Sequence, residues 1–172
     1  LQLSVAGTVL PYPILFTAVE EGEARLLVDT SHYSVHCFPV EHRIPCHGFA
    51  FTAKSGGRKL LPERCKEYEV PSAFYAHLKN GEDYERKDGF LVKNEWVTEA
   101  GPASKRYVYC ADTVYTHSFL DHIHNADAVY HESTYPDDHR ERAAERFHTT
   151  AAQAAELAKA AGAKRLLLGH FS

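Results

Sequence analysis

The sequence predicts an α/β (α+β) fold, and three observations carry that reading. The first half is a succession of β-rich runs separated by turn residues. The last third holds three short apolar runs, each ending in a polar residue, with helical segments between them. The chain has 172 residues, 44% apolar and 24% charged, enough for one domain with a buried core or for part of a larger one.

In chain order, residues 2–10, 13–20 and 24–29 alternate or are rich in β-formers, and Glu21-Gly22-Glu23 reads as a turn. Residues 34–42 and 48–53 are further strands, with alternation broken at Phe38-Pro39. An antiparallel meander is the simplest arrangement of these runs. Residues 54–104 are polar and punctuated by Ser55-Gly56-Gly57 and Asn80-Gly81. Within them, residues 72–79 read as a short helix capped by Ser72. This stretch is expected to be a surface excursion, so that residues 1–172 form a single unit.

The last third changes style. Residues 106–111 end at Asp112, 127–130 end at His131-Glu132, and 165–169 end at His170. Residues 151–161 are alanine-rich, with Ala154, Leu157, Ala158 and Ala161 on one helical face. Thr150 and Gln153 have the spacing of a capping box, and Gly162 stands where a helix-ending glycine belongs. Helices between strands imply crossover connections, so these strands should be parallel. Their C-terminal ends then meet at one rim, bringing Asp112, Glu132 and His170 together where α/β ligand sites lie. His42 also follows a β-like run and is placed to join them from the other sheet.

Imidazole with carboxylate suits zinc or manganese. A carboxylate bridging two ions about 3.5–4 Å apart would activate water and clamp a phosphoryl oxygen. The plain alternative is a set of polar residues capping strand ends. His148 precedes a helix start, and a Glu132–His148 pair would fix the imidazole tautomer and raise its proton affinity, as a general acid requires. His117, His122 and His124 read as solvated surface. His32, His36, His47, His77 and His139 show no partner pattern, and His131 is placed to order its strand end. Arg140-Glu141-Arg142 and Glu145-Arg146 form a mixed-charge helix face, suited to ion pairing or to a phosphate contact.

Composition narrows the classes. A formal net charge of -4 excludes a globally basic nucleic-acid coat but not a local basic patch. There is no 18-residue apolar run and no basic-plus-apolar N-terminal segment. The four cysteines form no CxxC pair, which suits reduced structural thiols and a cytoplasmic protein. Twelve histidines are an unusual load, and methionine is absent. That absence, with an end at His170-Phe171-Ser172 directly after a strand-like run, leads to the expectation of an excised or processed piece.

Several of these residues form motifs in a familiar order. Val40-Glu41-His42 with Gly48-Phe49 comes first, followed by Cys110-Ala111-Asp112-Thr113 and Tyr130-His131-Glu132-Ser133-Thr134. Phe147-His148-Thr149-Thr150-Ala151-Ala152-Gln153-Ala154 and Leu166-Leu167-Leu168-Gly169-His170-Phe171-Ser172 complete the set. From about residue 34 to residue 172 the chain resembles ribonuclease Z, the tRNA 3′-processing endonuclease of the metallo-β-lactamase superfamily. The resemblance implies part of an αββα sandwich with mixed sheets and helices on the outer face. It also implies a zinc-dependent endoribonuclease that removes 3′ trailers from precursor tRNA with metal-activated water.

By motif match, His42 would be a ligand of one zinc, Asp112 would bridge two, and His170 would hold the second. Zn2+ is the implied cofactor, two ions per complete site, with Mn2+ an alternative. Glu132 and His148 would assist proton transfer to the leaving 3′-oxygen, and residues 71–84 resemble the family's linker near the site. Ser133 stands where the family has alanine, and Ala111 where it has glycine. The His-x-His-x-Asp-His motif, which supplies most of the family's zinc ligands, does not occur in these residues. The chain therefore resembles a C-terminal half, expected to bind zinc weakly and to cleave no RNA alone. Half of a two-sheet sandwich exposes an apolar face, so a homodimer is expected. Competing readings are another phosphodiesterase or hydrolase of the superfamily, or a non-catalytic truncated paralogue.

Overall fold

The computed structural model describes residues 15–172 throughout, with Tyr12, Pro13 and the backbone of Ser4–Val5 and Thr8–Val9. Those two short segments, β1 and β2, pair antiparallel, and the rest of the strand expected at 2–10 lies outside the described residues. The strand expected at 13–20 does not form at Pro13 or at 15–20. Leu15 and Phe16 stand 88% and 68% exposed, so this stretch buries too little apolar surface to offset the cost of ordering it.

One six-stranded sheet carries the fold. β3 (Arg25–Asp29), β4 (Tyr33–Val40) and β5 (Cys46–Ala53) form the expected antiparallel meander. The chain then leaves the sheet over residues 54–104. There β6 (Lys59–Leu60), α1 (Pro62–Glu67), α2 (Tyr75–Lys79), β7 (Tyr84–Glu85), β8 (Leu91–Val92), α3 (Asn94–Val97) and β9 (Thr98–Glu99) enclose a small core of Cys65, Val70, Leu78, Val92 and Val97. Ser72 does not cap a helix. It lies inside a 3-10 turn, Ser72–Phe74, opened by the Phe74 amide donating to Pro71 O at 2.9 Å.

The chain re-enters the sheet at β10 (Lys105–Tyr109), antiparallel to β5. Then come α4 (Leu120–Ile123), β11 (Ala128–Glu132), α5 (Arg140–Glu145), α6 (Ala151–Ala160) and β12 (Leu166–Gly169). β10, β11 and β12 pair parallel, as the crossover argument predicts, and the sheet order is β12-β11-β10-β5-β4-β3. Among the described residues no helix is long and apolar enough to cross a membrane.

The core lies between the sheet and its helices. Phe38, Val40, Ala50, Val108 and Val129 point to one side and meet Phe119, Ile123 and Leu157. The Phe38 ring lies against Gly48, where any Cβ would fall 2.3 Å from Phe38 Cζ. α6 starts as predicted. Thr150 accepts from the Gln153 amide and the Gln153 side chain accepts from the Thr150 amide, which satisfies two amide donors at the helix start. Gly162 ends it with φ +65°, a conformation glycine adopts without steric cost.

His122 is not solvated surface. It is half-buried and stacks on Phe38, with centroids 4.9 Å apart, and burial pushes its imidazole pKa down. α4 has only four residues, so the core reaches this ring from the sheet side. Arg140 pairs with Asp137 at 3.8 Å and Glu156 at 3.6 Å, one turn away and on a neighbouring helix. The four cysteines are free thiols. The opposite side of the sheet carries a patch of exposed apolar residues. Tyr33, Phe51, Tyr107, Tyr109 and Leu167 are each more than a third exposed there.

Candidate metal centre

Strand direction assembles the site. β10, β11 and β12 are parallel, and β4 runs the same way because it is antiparallel to β5, which is antiparallel to β10. Four carboxyl ends therefore share one rim. Asp112 lies three residues beyond β10, Glu132 ends β11, His170 follows β12, and His42 lies two residues beyond β4. His42 thus comes from the same sheet as the other three, where the sequence pattern suggested a second one. The meander and the parallel unit share the β5–β10 pairing, which joins residues more than fifty positions apart and leaves no local signature.

Glu132 is the hub. It is 1% exposed, and its two oxygens act only as acceptors. Oε1 accepts from His148 Nδ1 at 2.8 Å, the Thr149 amide at 3.1 Å and the Thr113 amide at 3.2 Å. Oε2 accepts from the Thr134 amide at 2.9 Å and the Thr134 hydroxyl at 2.7 Å. This is the partner set of a carboxylate, and it ties the segments after β10 and β11 to the start of α6.

The tautomers follow from these partners. His42 Nδ1 lies 2.9 Å from Phe147 O, which can only accept, so Nδ1 carries the proton. The Thr134 hydroxyl spends its one proton on Glu132, so at 2.7 Å it accepts from His170 Nδ1. His148 Nδ1 donates to Glu132. All three rings are therefore left with Nε2 for a ligand, the pattern in which an outer partner fixes a metal-binding imidazole.

Two triples could hold an ion. Donor atoms of His42, Asp112 and His148 lie within 4.8 Å of one another, and so do those of Glu132, His148 and His170. His148 belongs to both. Its ring centroid is 5.1 Å from that of His42 and 5.6 Å from that of His170. Asp112 Oδ1 lies 3.6 Å from His170 Nδ1. All five residues singled out in the sequence thus gather at the rim, and the mix of imidazole and carboxylate fits a zinc-type donor set. The thiols fit it less well. Burial and the Asp112 charge push the Cys46 pKa up, and burial pushes that of Cys110 up to about 12.

Three contributors carried no assigned role in the sequence. Thr134 bridges Glu132, His148 and His170, and its place two residues after the strand-end glutamate was the available signal. Thr113 accepts from the Glu41 amide at 3.1 Å, and its backbone carbonyl accepts from the Thr149 hydroxyl at 2.6 Å. Phe147 orients His42 through its carbonyl while holding φ +60°, and His170 itself sits at φ +59°. Each left-handed residue costs about 1–2 kcal/mol, and such strain clusters at functional sites.

Residues 89–171 match a family model described as a beta-lactamase superfamily domain. Over 163 residues, 95% of the chain, the sequence is 36% identical to Ribonuclease Z of Phocaeicola vulgatus, covering 53% of that protein. It is 37% identical over 163 residues to Ribonuclease Z of Porphyromonas gingivalis, covering 54% of it. The chain thus spans about half the length of the curated relatives it matches. The crystal structure of human tRNase Z, short form, superposes with a TM-score of 0.53 at 24% identity, over 87% of this chain and 40% of that one. The metallo-beta-lactamase fold protein YhfI from Bacillus subtilis gives 0.51 at 19% identity, over 86% and 39%. At these identities the two structures speak for the fold.

Proposed function

We propose, from a chain that is a metallo-β-lactamase-fold relative of the ribonuclease Z proteins, that it is the C-terminal half of a zinc-dependent endoribonuclease removing 3′ trailers from precursor tRNA. The observation that carries this reading is the Glu132–His148 pair, its carboxylate buried, standing beside the metal-capable residues of the rim. His42, Asp112 and His170 would hold zinc, which when bound supplies an activated water and a positive clamp on the phosphoryl oxygens. His148 holds a proton for the leaving 3′-oxygen, and Glu132 keeps its ring oriented. Thr134 positions His148 and His170 together.

Three residues divided between two ions leave each with about two protein ligands, where zinc sites use three or four. The chain alone is therefore expected to carry near-zero zinc by elemental analysis and to leave precursor tRNA intact. A protein of the relatives' full length should release the trailer, leave a 3′-hydroxyl on the tRNA, and lose that activity with Asp112→Ala. Tight zinc in the chain alone would overturn the half-site reading. Cleavage of a small chromogenic diester without cleavage of precursor tRNA would favour another hydrolase of the superfamily.

The exposed sheet side supports a homodimer of the chain in isolation. Tyr107 pairs with Phe51 across β10 and β5, and Tyr109 stacks on Tyr130 with centroids 5.0 Å apart. A second copy laid on this patch removes it from water. Light scattering should give a dimer that Phe51→Glu and Tyr107→Glu convert to monomer. A wild-type chain that stays monomeric at high concentration would rule this out.

A further inference from the structure

The sheet edge opposite the metal rim carries a second cluster of chemistry. On the helix-bearing side, where α4 stops short, a cavity of about 660 Å³ opens over β3, β4, β5 and β10. Arg25, His36, Arg106 and His122 line it, above Phe38 and Thr52. No carboxylate is among the described lining residues. The length of β10, on the order of 15 Å, separates it from Asp112.

The charges here are poorly matched. Arg106 donates from Nη2 to His122 O at 2.7 Å, while its Nε is buried and finds no acceptor among the described residues. Asp127, the nearby carboxylate, accepts from the Arg106 backbone amide instead and is engaged by Lys105 and Lys164. Among the described residues Arg25 has only the exposed Glu20, 3.7 Å away, as an ion-pair partner. Burial first, and then the Arg106 charge and His36, disfavour the charged form of His122, against the pull of Asp121. Two guanidinium groups beside a cavity lined by no described carboxylate carry charge that an anion would offset.

We propose that this cavity binds a phosphoryl anion, with the Arg106 and Arg25 guanidinium groups as the charged donors and His36 and His122 as further donors. Guanidinium presents paired N–H donors that match phosphate oxygens. The site is separate from the metal rim and independent of the activity proposed for it.

The test is titration of the metal-free chain with pyrophosphate, followed by the ring-proton resonances of its histidines. His36 and His122 should shift saturably, while His148 and His170 stay in place. Arg106→Gln should weaken binding about tenfold or more. His36→Gln and Arg25→Gln, both at exposed positions, should also weaken it without disturbing the fold, and Asp112→Asn should leave it unchanged. A 5′-hydroxyl oligonucleotide is the second probe. If it moves the same resonances, the anion is a nucleic-acid phosphodiester; if only pyrophosphate does, it is a free phosphate. Absence of saturable shifts, shifts confined to His148 and His170, or affinity unchanged in the Arg106 and Arg25 variants would overturn the proposal.

Discussion

Glu132→Ala is expected to lower the unfolding free energy of the chain by about 3–5 kcal/mol, because it strips the acceptor from a cluster of buried donors. Five hydrogen bonds converge on this carboxylate, three of them from the backbone amides of Thr113, Thr134 and Thr149. Alanine would leave those donors in a site that is 1% exposed at Glu132, and each unsatisfied buried donor costs about 1–3 kcal/mol. Against a typical stability of about 5–15 kcal/mol, that is a large fraction. Glu132→Gln keeps the shape but turns an NH2 group toward one set of donors, so a loss of about 1–3 kcal/mol is expected. Urea unfolding of the three proteins measures both. A loss under about 1 kcal/mol for alanine would mean that the loops around Glu132 are held by other contacts.

The rim was legible in the sequence because its cause is topological. Three apolar runs separated by helices require parallel strands, and parallel strands gather their last residues at one edge. Topology alone brings Asp112, Glu132 and His170 together. His42 carries no such signal for the same sheet, since β4 joins β10 only through β5. Nor does Thr134 announce itself as the bridge between two histidines, because a threonine after a strand looks the same whether it caps a turn or orders a ring. Pro13 and residues 15–20 have strand propensity but gain little burial. His122 departs from the solvated position its spacing predicts because its exposure depends on Phe38, some eighty residues away, and helix spacing carries no information about that contact.

His148→Ala, in a protein of the relatives' full length loaded with zinc, is expected to slow trailer removal by about 10²–10⁴-fold, the range of a lost general acid. The side chain is 16% exposed and reaches Glu132 at 2.8 Å, so the ring is held in one orientation while part of it stays open to a leaving oxygen. KM should change little, since the proton is needed in the transition state rather than for binding. The geometry poses a sharper question, because His148 lies within reach of both donor triples. If it is the acid, zinc content measured by elemental analysis will survive the substitution. A substrate whose leaving 3′-oxygen is replaced by sulfur should then react at close to the wild-type rate, because a thiolate, whose parent thiol has a pKa of about 8.5, leaves without a proton. If zinc is lost instead and the sulfur substrate gives no rescue, His148 is a ligand, and the proton must come from another group.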